Sequence, residues 1–391
     1  MPDRRLTPVP SSFRPHSDAA LALADGRVFR GNAFGAPVAV DGEVVFTTTM
    51  TGYQEVCTDP SFRGQIVCMT FPLIGNYGVN DEDDESRQPW IAGLVVREHC
   101  DDPSNYRSVG TLDAYLRRHR IPALHGVDTR ALTRHIRAVG DTRATLVPDA
   151  ADLQDSALIA RARLAPLPGE RDVVGDVAEP VIERFGDGEG PHVVVVDCGV
   201  KRNIIRSLVD RGVRVTLVPY GTHYDRIAAM EPDGVIISPG PGDPANLEDG
   251  LDVVRSVLQR GTPYFGICLG HQLLARAIGA TTTKLKFGHR GGNHPVRDEQ
   301  TGKVTITAQN HGFEVNGETV PRQEGWKVSL VNLNDGTVEG LSHRDLPVMS
   351  VQFHPEASPG PLDNRGLFDR FVRMIGETRP ATAGSSQGGV A

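Results

Sequence analysis

The stretch Gly266-Ile267-Cys268-Leu269-Gly270 constrains this chain more than any other, because it sets a thiol between two segments of different periodicity. Thr262–Ile267 is an apolar run with the length of a short buried strand. Leu269–Ala280 repeats its apolar residues at helical spacing, with Leu273, Leu274, Ala277 and Ile278 on one face. Cys268 falls at the join, with glycines two positions before and after it. This G-x-C-x-G layout is the thiol counterpart of the G-x-S-x-G elbow, in which small flanking residues let strand and helix meet through a tight turn. The N-terminus of the helix offers unpaired N–H groups and the positive end of its dipole, and both favour a thiolate. The pentapeptide alone fits a buried structural cysteine equally well.

Two further segments complete a chemistry. Leu346–Phe353 reads as a strand and leads into His354-Pro355-Glu356. In extended backbone, residues two apart project to one side, and Pro355 biases His354 towards that geometry. His354 can then take the thiol proton while Glu356 orients the ring and stabilises its cation. The loop Ser238-Pro-Gly-Pro-Gly-Asp-Pro244 follows the buried run Gly234–Ile237. Its prolines remove donors and fix φ, whereas Gly240 and Gly242 reach conformations closed to other residues. Such a loop suits an oxyanion hole, although taken alone it reads more readily as an ordinary strand-to-helix turn.

With these residues assembled, the chain resembles the triad-type class I glutamine amidotransferases. The resemblance rests on SPGPGDP at 238–244, GICLGHQLLA at 266–275 and QFHPEASPGP at 352–361. It implies Cys268 as nucleophile, His354 as base and Glu356 as its orienting partner. It also implies an oxyanion hole from the backbone N–H groups of Gly240 and Leu269. Glutamine contacts then fall to Gly240, Gly242, Leu269, Gln272, Asn310, Gly312 and Phe313.

The first half of the chain narrows the resemblance. Gly42–Glu55, Thr58-Asp-Pro-Ser61, Phe71–Asp81 and Gly126–Arg134 have no place in a generic glutaminase. Together with Asp197–Ile204 and Lys286–Pro295 they are similar to the small subunits of carbamoyl phosphate synthetases. That likeness runs from about residue 19 to about residue 378 and brings Ser61 into the glutamine pocket. It implies a large-subunit partner that makes carbamoyl phosphate from bicarbonate and ATP for pyrimidine and arginine synthesis. A higher oligomer of the pair is left open. No G-x-x-x-x-G-K-[ST] loop occurs, so ATP and magnesium are expected on the partner and no cofactor on this chain. The competing readings are a glutaminase for another synthetase and a catalytically silent binding subunit. An intact Cys268–His354–Glu356 set argues against the silent subunit.

Strand-like runs at Ala20–Phe29, Glu43–Thr49, Gln65–Phe71, Ile91–Val96 and Arg143–Val147 predict a mainly β domain over 19–165. Thr111–His119 and Arg130–Val139 read as its peripheral helices. Residues 166–191 read as a linker. Strand–helix alternation over 192–379 predicts an α/β domain with a doubly wound, mainly parallel sheet, its site at the carboxyl ends of the strands. Residues 1–18 and 380–391 have the composition of disordered tails. A net charge of −8 with mixed signs argues against nucleic acid and against a polybasic membrane anchor. Five cysteines, no apolar run near 18 residues and no signal-peptide pattern predict a reducing cytoplasm. His271, His289, His294, His311 and His354 show no familiar ligand spacing with Cys, Asp or Glu, so no metal is expected. The acidic run 81–85 reads as a solvated loop, with a divalent-ion site as the alternative, and Cys198 reads as a space-filling residue at a strand end.

Overall fold

The computed structural model describes residues 18–170 and 172–378; the expected disorder of the two tails falls almost entirely outside them. The first half closes into a seven-stranded barrel. In order around it run Ala19–Leu23, Val28–Gly35, Pro122–His125, Gly93–Val95, Gln65–Met69, Val40–Thr47 and Thr142–Val147. Thr142–Val147 pairs back onto Ala19–Leu23, which removes the free edges. Val44 and Phe46 face one side of their strand and Val45 the other, and all three are buried. Val44, Phe46, Ile66 and Leu124 pack with Leu132 and Ile136 of the helix Thr129–Val139. Asp128 caps that helix by accepting from the Ala131 N–H at 2.9 Å, and Gly140 ends it at φ 104°. Val45, Val67 and Leu94 pack on Tyr53–Thr58 and Leu112–Arg118.

The run Ala20–Phe29 is not one strand. It breaks at Ala24-Asp25-Gly26-Arg27, where Gly26 takes φ 107° and the Leu23 N–H bonds Arg27 O, so the chain turns as a hairpin. An Asp-Gly pair between apolar runs carries that turn in the sequence.

The second half is built on a ten-stranded sheet. Arg214–Pro219, His192–Asp197, Gly234–Ile237, Tyr264–Ile267 and Val348–Val351 form its parallel centre. Val338–His343, Trp326–Asn332, Thr282–Asp298 and Val304–Val315 extend it antiparallel. Helices cover both faces of the centre. Val194, Val196, Val235 and Ile237 meet Val254 of Glu248–Arg260 and Leu273 of Leu269–Ala277. Val193, Val195, Ile236 and Phe265 meet Ile204 of Arg202–Val209 and Phe368 and Phe371 of Gly366–Thr378. The 166–191 segment has structure of its own: Val174–Val177 is a helical turn, and Glu183–Phe185 joins the sheet edge against Arg214–Pro219. Nor is the 81–85 run wholly solvated. Glu85 is buried, and its carboxylate accepts the Asn203 N–H at 3.1 Å at the start of the helix Arg202–Val209. Among the described residues no helix is long and apolar enough to cross a membrane.

Candidate active site

The carboxyl ends of Gly234–Ile237, Tyr264–Ile267 and Val348–Val351 converge on Cys268. Cys268 takes φ 52° and ψ −98°, a region closed to most residues with a Cβ, and stands directly before the helix Leu269–Ala277. Its N–H is anchored to Val351 O at 2.8 Å. The flanking glycines are dictated by space: a Cβ on Gly270 would lie 2.3 Å from Ile237 O, and one on Gly266 would lie 2.6 Å from Gly270 O. The thiol is 2% exposed, with Gln352 Nε2 at 3.6 Å and Asn310 O at 3.7 Å.

His354 lies beyond the end of the Val348–Val351 strand, which stops earlier than the sequence pattern suggests. It is held by a bridge to Ala308, whose carbonyl accepts the His354 N–H at 2.8 Å. His354 Nδ1 is 2.7 Å from Glu356 Oε1, while Nε2 bonds no protein atom among the described residues. Burial disfavours the imidazolium. The Glu356 charge, the neighbouring Cys268 thiol and the Glu356 hydrogen bond outweigh it, and raise the His354 pKa to about 10.

Gly240 approaches the elbow so closely that a Cβ would lie 2.1 Å from Cys198 O and 3.0 Å from Leu269 Cδ2. Gly242 adopts φ 95°. Leu269 is the first helical residue, so its N–H has no partner within the helix. A single cavity is lined by Ser61, Gly240, Gly242, Cys268, Gln272, Asn310, Gly312 and Phe313. Of the expected glutamine contacts, only Leu269 is not in its wall. Gln272 Nε2 donates to Phe313 O at 2.9 Å and to Gln352 Oε1 at 3.2 Å, which fixes the helix against the Val304–Val315 strand. Ser61 comes from the barrel, on the turn Pro60–Phe62, and its buried Oγ has no hydrogen-bond partner among the described residues. The preceding Asp59 accepts from Asn310 Nδ2 at 2.9 Å, tying that turn to the opposite wall.

The two halves also correspond to two known families. Residues 194–374 match the model for glutamine amidotransferase class-I. Residues 21–146 match that for the carbamoyl-phosphate synthase small chain, CPSase domain. The carbamoyl phosphate synthase small chain of Symbiobacterium thermophilum is 50% identical over 366 residues, covering 92% of this chain and 99% of that one. The chain belongs to the carbamoyl phosphate synthase small chain family. The small chain of Syntrophotalea carbinolica is 50% identical over 377 residues, with 92% and 98% covered. The pyrimidine-specific small chain of Bacillus subtilis is 47% identical over 358 residues, with 92% and 96% covered.

Sequence reasoning missed part of this family member's site. Lys201 is fully buried, with Nζ 3.2 Å from Glu356 Oε1 and bonded to Ala357 O. Burial works against its charge, but Glu356, Asp59 and Glu85 hold the proton and raise its pKa. In return, Lys201 first and His354 second outweigh burial at Glu356 and lower its pKa to about 2. Gln352 beside the thiol was also passed over. So was the cavity's charged floor, where Lys284 Nζ meets Glu43 Oε1 at 2.9 Å and Arg290 Nη2 meets Asp141 Oδ2 at 3.2 Å. Burial keeps Asp141 up at about 6 in spite of Arg290. The usable signal was position: Lys201 follows a central strand by four residues, at the end of the sheet where such folds place their sites. His271 plays no part, since Ser350 Oγ satisfies its Nδ1 at 2.8 Å in the core.

Proposed function

We propose that this chain hydrolyses L-glutamine to glutamate and ammonia through a γ-glutamyl thioester on Cys268. The observation that carries the reading is the strained elbow of Cys268 beside a buried His354 whose Nδ1 is held by the Glu356 carboxylate. A cationic imidazole and a helix N-terminus both favour the thiolate, which is the attacking species. The thiolate adds to the amide carbon, and the carbonyl oxygen becomes an oxyanion facing the N–H groups of Gly240 and Leu269. His354 then gives its proton to the departing amine, releasing ammonia and leaving the thioester. Water, deprotonated by His354, attacks the thioester through a second oxyanion and frees glutamate and Cys268. Glu356 keeps Nδ1 as donor, so Nε2 is the nitrogen that exchanges protons with the substrate. Ser61, Gly242, Gln272, Asn310, Gly312 and Phe313 position the glutamine.

The ammonia serves a large subunit that carries ATP and magnesium and forms carbamoyl phosphate from bicarbonate. The product feeds pyrimidine and arginine synthesis, and the pair works in the cytoplasm. Membership of the small chain family and the extra barrel domain support this over a glutaminase for another synthetase. The test is reconstitution of a Cys268→Ala chain with a carbamoyl phosphate synthase large chain. The expected outcome is loss of the glutamine-driven reaction, with the ammonium-driven reaction retained. Loss of both in an assembled complex would contradict the division of labour, as would ATP turnover by this chain alone.

A further inference from the structure

Behind the cavity wall, three strands far apart in sequence bring His289, His311 and Glu339 together. All three are buried, and their candidate ligand atoms lie within 4.8 Å of one another. His289 and His311 face each other as register partners of the Thr282–Asp298 and Val304–Val315 strands. Glu339 comes from Val338–His343, with Oε1 3.9 Å from His289 Nδ1. The separations, 22 and 28 residues along the chain, carry no short-range ligand pattern, so nothing in the residue spacing points to a metal.

The outer contacts of the three groups decide what their inner atoms can do. His289 Nε2 is 2.7 Å from Asp335 Oδ2, and His311 Nδ1 is 2.7 Å from Phe313 O. In each neutral ring the nitrogen facing an oxygen acceptor carries the proton, so the other nitrogen keeps its lone pair. Those other nitrogens, His289 Nδ1 and His311 Nε2, are buried and have no hydrogen-bond partner among the described residues. Glu339 is oriented in the same manner: Oε2 accepts from Gln309 Nε2 at 2.9 Å and Oε1 from Asn332 Nδ2 at 2.8 Å. Histidines that donate outward to a carboxylate or carbonyl, beside a carboxylate pinned by amides, are the supporting contacts that metal ligands need.

We infer that His289, His311 and Glu339 form a binding site for one divalent transition-metal ion of zinc type, with a fourth position left to water. Two imidazoles and a carboxylate are a zinc donor set, with metal–ligand distances of ~2.0–2.2 Å and hence ligand separations of ~3.4 Å. The three groups must therefore close by roughly an ångström, within the reach of small side-chain torsions. The ion lies outside the thiol chemistry and has a structural role. His311 adjoins Asn310 and Gly312 and lines the cavity, so the ion fastens the wall that holds the substrate to the paired Thr282–Asp298 strand and to the more distant Val338–His343 strand.

The experiment uses the full chain with Cys268→Ala, which removes the thiol as a competing ligand. Zinc content is measured by elemental mass spectrometry, and zinc affinity by competition with a chromophoric chelator. Cobalt(II) substitution reports the geometry through its visible bands. The expected result is one equivalent per chain, tetrahedral cobalt bands, and an affinity at least tenfold weaker in both Glu339→Gln and His289→Asn. Circular dichroism and a thermal melt establish that each variant is folded. If Glu339→Gln fails to fold, His289→Asn decides the matter. Absence of a stoichiometric ion from the folded parent, or equal affinity in a folded variant, would overturn the site.

Discussion

Glu356 is an ionised carboxylate with no exposed surface, and Lys201 and His354 are the two cations that compensate its burial. Removing one partner of a buried ion pair leaves the other charge stranded, at a cost of about 3–5 kcal/mol. Lys201→Met should therefore lower stability to urea by about that amount and also reduce turnover, because a less firmly ionised Glu356 holds His354 less well. A loss below ~1 kcal/mol would show that Lys201 does not hold this charge. The contrast with Cys268 explains what could be read from the residues alone. Cys268, His354 and Glu356 sit in motifs whose local geometry follows from glycine, proline and period-two spacing. Lys201 stands in Gly199-Val-Lys-Arg202, where a lysine reads as solvated, and only the fold shows it turned inwards. Burial pushes the thiols of Cys57, Cys68 and Cys198 up, so they are poor nucleophiles.

At the level of elements, the site depends on how closely the 238–244 loop meets the elbow. Gly240 has room for no side chain against Cys198 O, so Gly240→Ala must displace the loop and with it the Gly240 N–H. Loss of one oxyanion donor costs roughly 100- to 1,000-fold in kcat. The expected outcome is a fall of that size in the glutaminase rate, with a smaller change in KM, measured by ammonia release. An unchanged kcat would place the oxyanion elsewhere. The strands and helices around this loop were legible because each parallel strand is a continuous apolar run followed by an amphipathic helix. The barrel was legible only as β content. Its closure joins strands such as Ala19–Leu23 and Thr142–Val147, over 120 residues apart, and no local pattern encodes such pairing. The antiparallel extension of the second sheet was hidden for a similar reason: its Thr282–Asp298 strand is polar and irregular, with register shifts near Lys284 and Gly291.

Across the whole molecule, the barrel and the α/β half share a polar seam, buried at its centre and open to solvent at Lys284. It contains Arg290–Asp141, Lys284–Glu43 and Asn310–Asp59, and the Thr48 N–H adds a bond to Arg290 O at 3.1 Å. Arg290 and Asp141 side chains are 3% and 1% exposed, so their pairing is not a surface ion pair of marginal worth. Asp141→Ala should destabilise the chain by about 3–5 kcal/mol and raise KM for glutamine, because Arg290 and Asp141 both line the cavity. Matched urea denaturation and glutaminase kinetics check both effects. A change confined to stability would show that the seam does not shape the pocket. The seam also accounts for Ser61, which reaches the cavity only because the barrel is docked there.

The account stands on a covalent bond between glutamine and Cys268, and that bond can be observed. Enzyme turning over saturating glutamine is quenched in acid, digested and mapped by mass spectrometry. The predicted result is a peptide carrying Cys268 heavier by the mass of glutamine less ammonia, absent from Cys268→Ser and lost on mild alkaline treatment. A glutamyl adduct on Cys57, Cys68, Cys100 or Cys198, or turnover by Cys268→Ser at the wild-type rate, would contradict it.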